Sequence, residues 1–476
     1  MLVITFLREW WGEGLKYLEL LGLAFFLIVF SGASVVYWSL GYSWLEQQRI
    51  TQLLLIFFAS SSFVVCFFCV DRVVGLPTNA VLLAIALGLI SVSLSQYPEW
   101  ALKEWAKYVA SIALVAYLGG VLSHGSAQQF VLFILLVVSL FLVVQFYAFY
   151  VASFFTGARD VSPYLMYPGF DNPRFYGQYQ VLSIPVLHGL SLVKVWNNRL
   201  FNKWVIYFVL LLQWGIVWAL AGRGVLLSLC GGVLVMLLLT GSRYKILLMQ
   251  IFGMAAVGAV LYSLLFFFIP EWAGLARDLP SGLRFDLSKR DVLWLGAWEM
   301  VQAHPIFGVG PLHYSAEWNH IGAHPHQATL QFLAEWGVPA TALLLFSVIA
   351  GMKCGLSRIR NKPDALDAAL WLALLASLLL AQVDGVFVMP YTEGWLAVLA
   401  GVSWARWRGV TAAIAVERQQ KLRGVIFSIF LLLALVVVAR ILIVEVPQLR
   451  ETSKAFYQKH NIGSPPRFWD QGWIPM

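Results

Sequence analysis

The sequence predicts an all-α polytopic membrane protein, a bundle of about 12 to 13 transmembrane helices. Of its 476 residues, 60% are hydrophobic and only 12% are charged, whereas soluble domains carry roughly 25% charged residues. The apolar residues fall into blocks of about 20, the length that a helix needs to cross the hydrocarbon core. The roughly 10-residue alternation of an outer-membrane barrel strand is missing from these blocks. A helical bundle is therefore the expected fold.

Thirteen apolar blocks are predicted to span the membrane. The run from Val205 to Leu239 would be about 50 Å long as one helix, against a hydrocarbon core of roughly 30 Å. It must therefore fold back, and Ala221-Gly-Arg-Gly224 is its turn-like interruption. The predicted spans are Tyr17–Leu40, Ile50–Val70, Ala80–Leu94, Glu104–Leu122, Gln129–Ser153, Val181–Val193, Val205–Ala221, Gly224–Leu239, Ile246–Phe268, Val338–Met352, Ala368–Val388, Trp395–Trp407 and Val425–Ile443.

Four short basic loops predict the orientation, because Lys and Arg are retained on the cytoplasmic side. They carry Lys194, Arg199 and Lys203; Arg243 and Lys245; Lys353, Arg358, Arg360 and Lys362; and Arg406, Arg408, Arg418, Lys421 and Arg423. The loops 154–180 and 269–337, the Arg223 turn and the tail after Val444 then lie outside. We expect a bacterial inner-membrane protein whose outer face is the periplasm. The net charge of +8 follows from this topology, so nucleic acid is not an expected partner.

This topology divides the chain into four parts. Residues 1–268 hold the first nine predicted spans, with the periplasmic loop 154–180 between two of them. Residues 269–337 form a large periplasmic loop, the segment expected to be catalytic. Residues 338–444 hold the remaining spans, and residues 445–476 form a periplasmic tail. The cysteines Cys66, Cys69, Cys230 and Cys354 fall in spans or in a cytoplasmic loop, so no disulfide is expected.

Titratable side chains concentrate in the segment 269–337, which carries five of the eight histidines. These are His304, His313, His320, His324 and His326. The run Asp291–Gln302 spaces its apolar residues as an amphipathic helix, and the sequence HPIFGVGP ends it. Pro325 suits the start of the next helix, so His326 is expected in the first turn of that helix.

His326 has two interpretations at this position. The electropositive helix end disfavours an imidazolium, and a neutral imidazole can serve as a general base. An interfacial histidine bonded to backbone or water would occupy the same place. Zinc is a third possibility for the segment, because His320 and His324 are four residues apart. Gly322 and Pro325 interrupt a helix there, however, and no Cys or acidic cluster completes a ligand set, so no metal is expected.

Arg223 lies in the turn between two spans, where a guanidinium costs about 2.5 to 3.5 kcal/mol at mid-membrane and less near the interface. It is expected either to snorkel to the headgroups or to hold a phosphate, which suits its forked donors. Arg290, at the start of the amphipathic helix, is a second candidate for a phosphate site. Arg284 and Lys289 are its neighbours and join it as candidate substrate-binding residues.

The loop sequence YPGFDNPRFYGQYQ, from Tyr167 to Gln180, mixes aromatic and planar polar side chains. Such a mixture suits sugar binding through stacking and hydrogen bonds, with Asn172, Arg174, Tyr176 and Gln178 as the candidates. A turn anchored in the membrane interface by tyrosines would have a similar composition.

The sequence KRDVLWLGAWEMVQAHPIFGVGP, followed by HPHQATLQFLAEWGVPATALLLF, resembles the signature of the O-antigen ligase, O-antigen polymerase and bacterial O-oligosaccharyltransferase superfamily. Its H-x10-G element is matched by His326 and Gly337, and its preceding arginine by Arg290. The arginine-glycine pair between adjacent spans is matched by Arg223-Gly224. The family pattern has leucine four residues after the arginine, where this chain has Trp294, so Arg284 stays open as the matching residue.

The resemblance implies a glycosyltransferase C-type bundle and a metal-independent reaction without cofactors. A glycan arrives on undecaprenyl diphosphate, an acceptor hydroxyl attacks the anomeric carbon with inversion, and the lipid diphosphate leaves. Arg223 and Arg290 would stabilise the leaving group, and His326 would take or orient the acceptor proton. His324 and Glu335, in the same motif, are further candidate substrate-binding residues.

The predicted location of the C-terminal tail favours one branch of the superfamily over the others. Ligases of this superfamily usually end in the cytoplasm, whereas Glu445–Met476 is expected outside, which favours the protein-directed branch. We therefore expect most resemblance to a type IV pilin O-oligosaccharyltransferase, which glycosylates Ser or Thr of an exported protein. Transfer to the lipid A core and O-antigen polymerisation remain alternatives. A lipid-linked glycan transporter is a further alternative, although transporters place ionisable residues near the midplane and show repeated halves.

Overall fold

The computed structural model describes residues 18–38, 40–69, 76–122, 125–156, 160–167, 169–193, 203–277, 289–408, 417–460 and 465–475. Nearly all regular structure in these ranges is helical. The described strands, β1 (Asp160–Val161) and β2 (Ala276–Arg277), form one short parallel pair. The helices are α1 (Leu18–Gly32), α2 (Trp44–Cys69), α3 (Asn79–Leu94), α4 (Pro98–Val121), α5 (Gly125–Ser153), α6 (Pro173–Leu192), α7 (Lys203–Leu220), α8 (Arg223–Thr240), α9 (Lys245–Ser263), α10 (Ile269–Trp272), α11 (Arg290–Ala303), α12 (Ala328–Asn361), α13 (Ala365–Leu380), α14 (Pro390–Trp407), α15 (Glu417–Arg440) and α16 (Val446–His460).

The all-α polytopic fold is confirmed. Six helical runs among the described residues are long and apolar enough to cross a membrane, and one of them, Arg223–Trp272, contains α8 and α9 on either side of a turn at Gly241. Each of the thirteen predicted spans overlaps a helix. The predicted turn between α7 and α8 is also confirmed, because α7 ends at Leu220 and α8 begins at Arg223.

Two predicted spans are too long. The first was expected to reach Leu40, but α1 ends at Gly32 because the Gln47 amide donates to the carbonyls of Ala33 and Val36. These bonds satisfy carbonyl groups that a longer helix would use internally. The eleventh span was expected to reach Val388, but α13 ends at Leu380 and a series of turns follows. Asp384 is therefore in a loop.

Close packing of α6, α8 and α13 positions the loops at one end of the bundle. At the α6–α13 contact, Gly189 lies directly against Ala369, and a Cβ at Gly189 would be 3.2 Å from the Ala365 carbonyl oxygen. Small residues allow helices to approach closely where lipid supplies no hydrophobic driving force between them. The N-terminus of α6 and the N-terminus of α8 thus meet the α13–α14 loop at the same end.

Three of the four basic loops come together at the opposite end of α8 and α12. Arg243 donates to the carbonyl of Arg360 there, and the Tyr244 hydroxyl donates to that of Ile359 at 2.7 Å. Arg406 forms an ion pair with Asp364 at 3.0 Å. The grouping agrees with the predicted common side of these loops. Lys194, Arg199 and the side chain of Arg418 lie outside the described residues.

Helix α12 is broken at Gly337, which has φ 80° and ψ 168°. The segment after α11 crosses this break and replaces the missing helical hydrogen bonds. The N–H of Val309 donates to the carbonyl of Ala334 at 2.9 Å, and that of Gly310 donates to the carbonyl of Glu335 at 3.0 Å. The Val338 N–H, freed from the helix, donates to the carbonyl of Pro305 at 2.8 Å. These bonds hold residues 305–310 against the membrane helix at the break.

Candidate active site

His324 and His326 lie side by side in the loop that leads into α12, with ring centroids 3.9 Å apart. The prediction that His326 lies in the first turn of the helix is wrong, because α12 begins at Ala328. Gln327 is the N-cap and accepts the N–H of Leu330 through its side chain. His326 instead has a left-handed φ of 54°. Its N–H donates to Nδ1 of His324 at 3.3 Å, which helps to hold this uncommon backbone conformation.

His324 is buried beneath the site and packs on Gly385, where a Cβ would be 2.5 Å from the imidazole Cε1. Burial lowers the pKa of His324 well below its ordinary value, and the charges of His326 and Arg467 lower it further. A neutral ring keeps Nδ1 available as an acceptor for the His326 N–H. His324 therefore supports the backbone of His326 through this hydrogen bond.

Asp384 faces His326 from the α13–α14 loop, with its Oδ1 at 3.6 Å from Nδ1 of the imidazole. This separation exceeds a hydrogen bond, and catalytic contacts often tighten only when substrate binds. Burial raises the pKa of Asp384, but His326, the Gly385 N–H and Arg174 together hold it below its ordinary value. An ionised carboxylate at Nδ1 orients the ring and leaves Nε2 as a base.

Asp384 was missed by the sequence analysis, which placed it inside a transmembrane span. The available signal was the pair Asp384-Gly385 directly after an apolar run, a combination that is typical of a turn.

Three arginines, each at or near the N-terminus of a helix, lie close to Asp384 or to one another. Arg174 is the second residue of α6, Arg223 the first of α8 and Arg290 the first of α11. Burial lowers the pKa of Arg290, Asp384 raises it, and Arg174 and Arg223 lower it, so these four charges lie near one another. Neither α8 nor α11 has a side-chain cap in the described structure. Uncapped N–H groups and guanidinia at helix N-termini form a site suited to an anion.

The other candidate residues of the loop 167–180 cap α6 or are buried within it. The Asn172 side chain caps α6 by accepting the N–H of Arg174 at 2.9 Å. Tyr176 and Gln178 are buried within α6. Neither the Tyr176 hydroxyl nor the Gln178 amide has a hydrogen-bond partner among the described residues. Of these four candidate residues, Arg174 is therefore the one that lies near Asp384.

Three candidate residues remain, and their surroundings differ. Lys289 is exposed at the start of α11 with a left-handed φ of 60°. Glu335 is buried, and both of its carboxylate oxygens accept from Arg467 at 2.8 and 2.9 Å. Arg284 lies outside the described residues. Among the residues that the structure describes, no group of three or more His, Cys, Asp or Glu side chains is arranged to hold a metal ion.

Residues 206–345 match the family model for O-antigen ligase. The match supports the O-antigen ligase superfamily. Enzymes of this superfamily are glycosyltransferase-like and membrane-associated, in agreement with the polytopic fold. The matched segment includes Arg223, Arg290 and His326, whereas Arg174 and Asp384 lie outside it. No curated protein matches the chain.

Proposed function

We propose that the protein transfers a glycan from undecaprenyl diphosphate to an acceptor hydroxyl at the periplasmic face of the bacterial inner membrane. The acceptor in this proposal is a Ser or Thr of an exported protein such as a pilin. The observation that carries the proposal is the convergence of Arg174, Arg223 and Arg290 beside the His326–Asp384 pair. A cationic site next to an oriented imidazole suits transfer from a diphosphate to a hydroxyl.

The residues have separate roles in the proposed reaction. Arg223 and Arg290 hold the diphosphate and stabilise the negative charge that develops on it, with Arg174 completing the cationic surface. The acceptor oxygen bonds to the anomeric carbon as the bond from that carbon to the phosphate oxygen breaks. Nε2 of His326 takes the hydroxyl proton, and the Asp384 carboxylate stabilises the resulting imidazolium. Direct displacement inverts the anomeric centre and needs no metal or other cofactor.

A cavity of about 620 Å³ beside the site supports a lipid-linked donor. Its lining is almost entirely apolar and comes mainly from α4, α12, α13 and α14, with contributions from α3 and the α13–α14 loop. One end is formed by Thr329 and Gln382, which hydrogen-bond to each other at 2.8 Å next to the histidine loop. The other end is formed by Trp404 and Trp407, near the basic loops.

The exposed face of α11 supports a position of Arg290 at the level of the lipid headgroups. Leu293, Ala297 and Val301 are buried against α12 and its neighbouring loop, whereas Val292, Leu295 and Trp298 are exposed on the opposite side. An amphipathic helix with an exposed tryptophan and basic residues at its start suits the membrane interface. The diphosphate of a lipid donor would lie at that level.

Transfer to the lipid A core is the second candidate, because the matching family model is described as O-antigen ligase. Purified protein in liposomes should be given one lipid-linked glycan with three competing acceptors: a pilin, a lipid A core and a second glycan. The protein-directed proposal predicts glycosylated pilin, and His326→Ala should abolish it. Product on the lipid A core alone would assign the ligase function, and elongated glycan would assign polymerisation.

A further inference from the structure

The C-terminal segment 465–475 is packed inside the protein beside the histidine loop. Four of its apolar side chains are buried: Phe468, Trp469, Trp473 and Ile474. The Ile474 N–H donates to the carbonyl of Ser315 at 3.2 Å, and Nε1 of Trp318 donates to the Ile474 carbonyl at 3.3 Å. Gly472 lies against Ala323, the residue that precedes the first site histidine. The segment therefore forms one wall of the loop that carries the site.

Arg467 fixes this segment from the other side. Its Nη2 donates to both carboxylate oxygens of Glu335, at 2.8 and 2.9 Å, and lies 3.6 Å from Glu104. The side chain is 1% exposed. Arg49 in turn donates to the carbonyls of Arg467 and Phe468, at 3.3 and 3.1 Å. The guanidinium of Arg467 thus links the C-terminal segment to α12, through Glu335, and to α4, through Glu104.

Glu335 connects Arg467 to the candidate active site through a series of hydrogen bonds. It lies two residues before the break at Gly337, and its Oε1 accepts the N–H of Tyr314 at 3.2 Å. The Tyr314 hydroxyl donates to the carbonyl of Leu293 at 3.1 Å. Leu293 belongs to α11, whose first residue is Arg290. A continuous set of hydrogen bonds therefore joins Arg467 to the helix that presents a site arginine.

We infer that Arg467 is a positioning residue for the candidate active site, an inference that rests on the proposed function. By fixing Glu335 and Tyr314, it sets the position of α11 and of the histidine loop, and hence the spacing between Arg290 and His326. Stability alone is a weak explanation, since apolar side chains of similar volume often replace a buried ion pair without loss. The pair instead suits a role that depends on position, because one nitrogen, Nη2, contacts both Glu335 oxygens and approaches Glu104.

Arg467 belongs to a cluster of six buried charged side chains, three positive and three negative. The cations Arg49, Lys107 and Arg467 pair with the carboxylates Glu104, Glu335 and Glu393. Removing one partner would leave a buried charge unpaired and threaten folding. The double variant Arg467→Met/Glu335→Gln removes one charge of each sign, and Arg467→Lys keeps the charge but not the length and shape of the guanidinium side chain. Lys103→Met/Glu445→Gln is the matched control, because that 2.9 Å pair also joins α4 to the C-terminal region.

The first readout is glycan transfer. We expect the double variant to fold as the control does, with kcat for glycan transfer lowered about 100-fold. Arg467→Lys should retain part of the activity.

Wild-type kcat in the double variant would overturn the inference. If the double variant does not fold, the same comparison is made with Arg467→Lys, and full activity there would overturn it. A second readout does not depend on transfer: the rate at which diethyl pyrocarbonate modifies His326, followed by mass spectrometry. We expect that rate to change in the double variant but not in the control. Absence of transfer by the wild type would reject the proposed function, and an unchanged modification rate would reject the positioning role.

Discussion

Substitution of Gly337 by alanine tests the physical reason for the glycine of the H-x10-G element. Its φ of 80° and ψ of 168° lie in a region that is essentially restricted to glycine, where another residue costs on the order of 1 to 3 kcal/mol. A Cβ would also lie 2.5 Å from the carbonyl carbon of Ile306 and 2.8 Å from the N of Phe307. Both atoms are backbone, so no side-chain rotation relieves the overlap. Overpacking of this kind typically costs about 1 to 3 kcal/mol.

The two contributions together should destabilise the packing of residues 305–310 on α12 by about 3 kcal/mol or more. This corresponds to roughly a hundredfold in the equilibrium constant for that packing. The assay is the thermal unfolding midpoint of the purified protein in detergent, measured beside glycan transfer. Gly253→Ala is the matched control, because Gly253 is helical and a Cβ there would have nothing within 4 Å. A Gly337→Ala variant with the midpoint and activity of the control would refute the proposed role of the helix break.

Three further predictions concern the site itself. Asp384→Asn should lower kcat about 10- to 100-fold with little change in donor KM, because the imidazole loses its orienting carboxylate; equal rates in a transfer assay would remove Asp384 from the site. Arg223→Lys should lower kcat about tenfold or more, since a point charge cannot replace two directed donors on a diphosphate; kinetics like those of the wild type would make Arg223 an interface anchor. His324 has a pKa lowered by burial and by neighbouring cations, so the unfolded chain binds a proton there that the folded chain does not. Stability should therefore fall as the pH drops below about 6.5, by up to about 1.4 kcal/mol per pH unit, and a thermal shift series in which His324→Gln keeps the full slope would contradict this.

Local patterns predicted the parts of the fold that depend on neighbouring residues. Apolar blocks of bilayer length identified the spans, and the break at Ala221–Gly224 identified the turn that exposes Arg223. The amphipathic spacing of Asp291–Gln302 predicted α11, which runs from Arg290 to Ala303. In each of these cases the periodicity of hydrophobic burial is set within a few residues, so the sequence contains the whole signal.

Features that depend on distant contacts were not predicted. The start of α12 was placed two residues early, because the Gln327 cap and the left-handed backbone of His326 are not distinguishable from a helical turn by composition. Asp384 was assigned to a span because its loop is nearly as apolar as the helix before it. The pair of Arg467 and Glu335 joins residues 132 positions apart. Only the folded chain brings those two charges together.

The central claim is that the arginines bind the diphosphate of a polyprenyl lipid while His326 serves the acceptor. Native mass spectrometry of the purified protein with equal amounts of undecaprenyl diphosphate and undecaprenyl monophosphate tests this claim most directly. We expect preferential binding of the diphosphate, loss of that preference in Arg290→Gln, and its retention in His326→Ala. Equal binding of the two lipids by the wild type, or a preference that survives Arg290→Gln, would contradict it.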